Sequence, residues 1–268
     1  MRWLLFFIFY VVTEVHSHSD QINKCKIALL TVVIGDEYSK VVEFGTWSKK
    51  IYCEKHGYDL IIATENINEV NAPKSQFYRH PAWTKISLAA KHLSNYDYVF
   101  FCDADTIIMN PNITVESIIE STSSDIDLLI CSRDFTKNPF YKLNSGVWIL
   151  KNSDKSHAFL QHVWEVGENE KFALRSNWEQ DAIITVLAID WNSRREFPLN
   201  IHFLPSQVMN SKAGQGGYQS GDFIVHFCQI HGRELVQIFR EFIDLYYEKN
   251  GRKPEFQPIA SQDGIRLE

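Results

Sequence analysis

From Lys26 onward, short apolar runs rich in β-branched residues alternate with amphipathic stretches of helical period. That alternation restricts the chain to few folds. The run 27–34 stops at Gly35-Asp36, and a helical stretch with Val41, Phe44, Ile51 and Tyr52 near one face follows, ending at His56-Gly57. Residues 58–64 read as a second strand, 66–81 as a loop, and 83–93 as a helix with Trp83, Ile86, Ala90 and Leu93 on one side. Further strands are expected at 96–102, 127–132, 146–150, 201–204 and 222–227, and further helices at 154–166, 177–189 and 233–248. Strands that alternate with helices give an α/β fold, with a mostly parallel central sheet flanked by helices on both faces. In such sheets ligands bind beyond the carboxyl ends of the strands. The residues just after each strand are therefore where chemistry is sought.

Bulk properties narrow the function. The chain has 268 residues, 45% hydrophobic, enough for one large domain, and carries a formal charge of −6 with both signs interspersed. No long basic stretch points to nucleic acid, and no polybasic patch to an anionic membrane surface. Arg2, the apolar run 3–12 and the small-residue pattern Val15-His16-Ser17 read as a signal peptide or short signal anchor over residues 1–17. A spanning helix needs about 20 apolar residues, which favours the peptide; the anchor alternative would tether the N-terminus to a membrane. Either form delivers the domain, residues 25–249, to the lumenal side, with 250–268 as a polar tail. Of the five cysteines, Cys102, Cys131 and Cys228 lie in apolar runs and are expected to be buried, while Cys25 and Cys53 flank the first βα unit and can pair. The sequon Asn112-Ile113-Thr114 is usable if exposed.

The sharpest chemical feature is Asp103-Ala104-Asp105, a DXD motif that directly follows the apolar run Tyr98-Val99-Phe100-Phe101-Cys102. Asp-x-Asp alone is common in surface loops. At the open end of a buried strand, however, two unpaired carboxylates are costly unless a cation or donors meet them. Both can address one hard cation, Mg²⁺ or Mn²⁺, which in turn holds a diphosphate, and the small Ala104 lets the backbone come close to a ligand. His226, in Phe223-Ile224-Val225-His226-Phe227, again ends an apolar run; an imidazole beside two carboxylates favours Mn²⁺. Asn144-Ser145-Gly146 suits close approach to a polar ligand, or a simple turn. Trp178-Glu179-Gln180-Asp181 stands near a helix start, where acidic residues complement the dipole. Gln180 Oε1 there can support a developing oxocarbenium ion, and Glu179 or Asp181 can contact sugar hydroxyls. Lys85 is either solvated or meets a phosphate or carboxylate.

Taken in order, these pieces resemble glycosyltransferase family 34, galactosyl-, mannosyl- and xylosyltransferases. The resemblance runs from about Ile27 to Phe242. It rests on Glu54-Lys55-His56-Gly57-Tyr58-Asp59-Leu60, Ala82-Trp83-Thr84-Lys85, residues 96–105, Leu143-Asn144-Ser145-Gly146, Glu179-Gln180-Asp181-Ala182 and Gly221-Asp222 through Phe227. It implies a GT-A type nucleotide-diphospho-sugar transferase fold and a retaining enzyme that uses Mn²⁺, with Mg²⁺ as the alternative ion. The implied donor is a nucleotide-sugar (UDP-galactose, GDP-mannose or UDP-xylose), the acceptor a glycan or glycoprotein, and the setting the Golgi lumen or membrane, or secretion. By the resemblance, Asp103, Asp105 and His226 hold the metal, Asn144 and Gln180 contact the donor sugar, and Lys85 lies on the donor side. Thr31 to Val33 with Tyr38 resembles the region that holds the base. After the histidine the family usually has a small residue and Gly, then often Cys and a basic residue. Cys228-Gln229-Ile230-His231 stands here instead, so a reshaped diphosphate pocket is expected, with His231 in place of a phosphate-assisting Lys. A catalytically silent lumenal module that binds nucleotide-sugar or glycan is the alternative. An α/β hydrolase is disfavoured because no G-x-S-x-G elbow is present.

Overall fold

The computed structural model describes residues 25–66, 79–122, 125–132, 140–168, 177–193, 199–214 and 216–251. The N-terminal segment 1–17 and nearly all of the expected tail lie outside these residues, as does most of the 66–81 loop. Among the described residues, nine strands form two sheets: β1 (Ile27–Val32), β2 (Asp59–Ala63), β3 (Tyr98–Cys102), β4 (Thr106–Ile108), β5 (Leu128–Ser132), β6 (Leu143–Lys151), β7 (Ile201–Pro205), β8 (Ser211–Lys212) and β9 (Ile224–His226). The helices are α1 (Asp36–Val41), α2 (Glu43–His56), α3 (Thr84–His92), α4 (Val115–Glu120), α5 (Asp154–Val166), α6 (Trp178–Ser193), α7 (Ser206–Met209) and α8 (Gly232–Asn250). None of them is long and apolar enough to cross a membrane.

The larger sheet has the order β2-β1-β3-β6-β5-β7. β1 is parallel to β2 and β3, and β5 to β7, while β6 runs antiparallel to both β3 and β5. The sheet is thus mostly parallel, as the alternation predicts. Successive strand side chains point to opposite faces, and the two cores follow that rule. Ala28, Leu30, Val99, Phe101, Trp148 and Leu150 pack on one face with residues of α3, α5 and α6. Ile27, Leu29, Phe100, Cys102, Val147 and Ile149 pack on the other with Tyr52, Val115, Ile118 and Phe223. Runs that are apolar at every position are the mark of strands covered on both faces.

The second sheet, β4-β9-β8, has its own core, in which Ile107, Val225 and Phe227 meet Phe44 of α2 and Phe239, Ile243 and Tyr246 of α8. Its register sets Thr106 opposite His226 and Lys212 beside His226. After the three residues Asp103 to Asp105 that follow β3, the chain therefore enters a sheet that contains the histidine.

Three departures from the sequence reading bear on the site. β6 starts at Leu143, so Asn144 to Gly146 lie within the strand instead of before it. Opposite them β5 steps from Ile130↔Trp148 to Cys131↔Asn144, so residues 145–147 of β6 bulge out of register. Bulges re-aim side chains beside active sites. The suggested Cys25–Cys53 pair is not made: both thiols are free, Cys25 exposed and Cys53 buried against Leu29 and Tyr52. Cys102 and Cys131 are buried as expected, whereas Cys228 is half-buried, because the chain leaves β9 before reaching it.

Candidate functional site

Asp103, Ala104 and Asp105 form the turn between β3 and β4. The turn is tied on every side. Asp103 N–H donates to Gly146 O (2.7 Å), Phe227 N–H donates to Asp105 O (3.0 Å), and Thr106 Oγ1 donates to Asp103 O (2.8 Å). Ala104 is buried against Val33 and Val42. From below, the fully buried Lys49 of α2 donates to Thr106 O (2.8 Å), Gly45 O (3.2 Å) and Ala104 O (3.4 Å). A Cβ on Gly45 would lie 2.6 Å from Thr106 O and 2.7 Å from Ala104 O, so only glycine lets α2 lie this close to the turn. Burial pushes the Lys49 ammonium down to about 8, although Asp105 and Asp103 pull the other way. Sequence reasoning missed Lys49. The signal was there: Gly45, Lys49 and Cys53 share a helix face whose other members are buried.

His226 reaches the turn from β9. Its Nε2 lies 3.4 Å from Asp105 Oδ1 and 3.8 Å from Asp103 Oδ2. One ligand atom from each of the three residues falls within 4.8 Å of the others. An octahedral ion with ligands at about 2.1 Å keeps adjacent donors about 3 Å apart. The separations are longer than a close hydrogen bond and suit a cation, and two carboxylates with an imidazole are a donor set for Mn²⁺. Burial alone would raise the Asp105 carboxyl. The His226 imidazole, its hydrogen bond and the Lys49 ammonium outweigh burial and hold it below the ordinary value.

Lys85 of α3 meets Asp103 from another direction. Its Nζ lies 2.9 Å from Asp103 Oδ1 and 2.7 Å from Glu179 Oε1, with Ser145 O at 3.4 Å. Burial would lower this ammonium, but the carboxylates of Asp103 and Glu179 raise it well above the ordinary lysine value. Lys85 is therefore a carboxylate clamp, not a solvated surface lysine. The β6 bulge supplies the partners of α6: Ser145 Oγ donates to Glu179 Oε1 (3.0 Å), and Ser145 N–H donates to Gln180 Oε1 (3.0 Å). Gln180 Oε1, expected to face the sugar, is thus engaged by the strand. Asp181 Oδ1 accepts from Asn177 Nδ2 at 3.2 Å. Just before these residues, Trp178 has φ of 44° and stacks on His80 with ring centroids 3.9 Å apart. A bulky side chain in the left-handed region costs about 1–3 kcal/mol, a strain found often at functional sites.

Gly146 stands closest to the cation ligands. Asn144 Oδ1 accepts from Gly146 N–H (2.9 Å) and from Nδ2 of Asn210 (2.8 Å), a residue that sequence reasoning also missed. Of the expected base-binding residues, Thr31 and Val33 are buried at the end of β1, with no hydrogen-bond partner for Thr31 Oγ1. Tyr38 on α1 is 38% exposed; burial of its hydroxyl, then the carboxylates of Asp105 and Asp103, push it well above the ordinary tyrosine value. His231 is exposed at the start of α8. Gln229, at the position of that departure, has φ of 66°, the left-handed conformation that glycine adopts freely. A side chain held there costs about 1–2 kcal/mol.

A mostly parallel sheet with one reversed strand, a small second sheet and a DXD turn between them define a glycosyltransferase fold of GT-A type. A glycosyltransferase involved in glycosylation of the major capsid of PBCV-1 superposes with a TM-score of 0.60 at 14% identity, covering 82% of this chain and 99% of that one. The galactosyltransferase LgtC, solved with donor and acceptor sugar analogs, gives 0.52 at 12% identity, covering 85% and 98%. At sequence level, no curated protein matches. The chain belongs to the family described as "Protein of unknown function, DUF273", whose model matches residues 49–195, more than half the chain.

Proposed function

We propose that this chain is a retaining, Mn²⁺-dependent glycosyltransferase that moves a hexose or pentose from a nucleotide-sugar to a glycan or glycoprotein acceptor, as the resemblance to family 34 implies. UDP-galactose, GDP-mannose and UDP-xylose are the donors to try. The observation that carries the proposal is the convergence of Asp103, Asp105 and His226 at the carboxyl edge of a GT-A sheet. A bound Mn²⁺ supplies the positive charge that neutralises a departing nucleoside diphosphate.

The protein's own groups would do the rest. Lys85 holds Asp103 in place, and Asn144, its oxygen occupied, turns its Nδ2 to the donor sugar. Tyr38 stands beside the turn for the base. Retention fits entry of the acceptor hydroxyl on the face the leaving group vacates, with a phosphate oxygen taking its proton. A double displacement through Glu179 or Asp181 is less well supported, since Lys85 and Ser145 hold Glu179 and Asn177 holds Asp181. One observation favours a silent binding module instead: Gln180 Oε1 is taken up by Ser145 N–H.

Calorimetry with the three donors, with and without Mn²⁺, and an assay of UDP or GDP release test the reading. Mn²⁺-dependent binding with release is expected, and Asp105→Asn should abolish both while the circular dichroism spectrum is unchanged. Binding without release, acceptors present, would leave the silent module; an active, Mn²⁺-dependent Asp105→Asn protein would overturn the ligand assignment. The proposal includes delivery to the secretory pathway, Golgi or exterior. In its support, Asn112 is exposed, with Lys55 Nζ on its Oδ1 at 2.6 Å. Secretory expression should yield an endoglycosidase-sensitive mass increment that Asn112→Gln removes; an unmodified wild-type chain would count against this route.

A further inference from the structure

Asn210 follows α7, is 5% exposed, and lies between two residues of the site. Its Oδ1 is 2.9 Å from His226 Nδ1, and its Nδ2 is 2.8 Å from Asn144 Oδ1. The direction of this chain of bonds is not a free choice. It starts at Gly146 N–H, a backbone group that can only donate. The Asn144 atom it meets must accept, so that atom is the oxygen. Asn210 must then present a donor to the same oxygen, which turns its own oxygen to His226. His226 Nδ1 therefore carries a proton, so that Nε2, the nitrogen facing Asp103 and Asp105, is the one available to ligate. A bare Nε2 is the form that ligates a cation, and a hydrogen bond to the other ring nitrogen fixes that form.

We infer that Asn210 is a positioning residue with two faces: it sets the ligating tautomer of His226, and it locks the amide of Asn144 with its Nδ2 outward. The residue joins the cation site to the sugar side of the pocket. Its functional meaning rests on the glycosyltransferase reading, but the bond network does not. Reversing Asn210 would place two oxygens against each other at Asn144 and a proton on the ligating nitrogen. A backbone amide in a central strand thus dictates the protonation pattern of a side chain 80 residues away, from Gly146 to His226.

The first test needs no activity. Long-range ¹H–¹⁵N spectra of histidine-labelled, metal-free protein should show His226, assigned through a His226→Gln control, with Nδ1 protonated. Finding Nδ1 unprotonated would overturn the inference. Calorimetry with Mn²⁺ alone should then show Asn210→Ala weakened by about 10–100-fold. Asn210→Asp keeps an acceptor for His226 but cannot donate to Asn144. It should hold Mn²⁺ within a few-fold of wild type, and lose about tenfold in affinity for the nucleotide-sugar relative to the nucleotide alone, about what one hydrogen bond contributes. An Asn210→Ala protein that binds Mn²⁺ as tightly as wild type would also overturn it. If wild type binds no Mn²⁺ yet shows Nδ1 protonated, the positioning role stands and the glycosyltransferase reading fails.

Discussion

Alanine at position 146 is expected to destroy the cation site. A Cβ there would lie 2.2 Å from His226 Cε1, 2.8 Å from His226 Nδ1 and 2.8 Å from Asp103 Oδ2. Two of the three ligands would have to move at once. Retreat of the strand is limited, because Gly146 O accepts from Asp103 N–H and β6 is paired with β5 at Asn144 and Trp148, on either side of the bulge. The histidine ring is packed on β9 and bonded to Asn210, so it can leave only by breaking that bond. The expected result is a loss of at least about 100-fold in Mn²⁺ affinity, as for a lost ligand-orienting contact, together with about 1–3 kcal/mol of stability from overpacking. Titration calorimetry and urea denaturation measure the two. A folded Gly146→Ala protein with undiminished affinity would mean that His226 does not ligate from where it stands.

The second large effect concerns the clamp. Lys85→Met leaves Glu179 buried beside Asp103, with no ammonium between them and with Glu179 Oε2 already lacking a partner. Breaking a buried pair on one side costs about 3–5 kcal/mol. The pH dependence has a definite sign. Burial already raises the Glu179 carboxyl, and without Lys85 it is raised further. A group whose folded value is raised gives full stability below its unfolded value and loses it as pH climbs through the folded one. The deficit of the Lys85→Met protein should therefore be small near pH 4 and large at pH 7. Adding Glu179→Gln should restore more than half of the stability at pH 7, because the uncompensated charge is gone. Urea denaturation at the two pH values, on the single and double variants, reads this directly; a single variant as stable as wild type at pH 7 would show that the pair contributes nothing.

Much of this architecture was legible beforehand, for a physical reason. A strand covered on both faces must be apolar at every position, so β1, β3 and β5 announce themselves, and the abrupt change from Cys102 to Asp103 marks where the core ends. The shortest strands were not legible. β4 and β8 have three and two residues, too few for any period to show, yet they bring His226 to the turn. Lys49 drew no attention in the sequence, although its face of α2 is buried. Asn210 carries no local signal at all. Its importance comes from partners 66 and 16 residues away, and only the folded chain reveals them.

The placement of the three ligands has one more consequence. Asp103 follows β3 of the larger sheet, whereas His226 belongs to the smaller sheet, which has a core of its own besides the one that Ile108 and Ile224 share with the larger sheet. The pocket therefore lies on a seam, and an ion bound there would act as a rivet. Its affinity would be added to the cohesion between the two sheets, since a ligand that binds only the assembled form stabilises that form by mass action. A cation bound at the seam would therefore add to the cohesion that the shared core of Ile108, Ile224 and Phe100 already supplies.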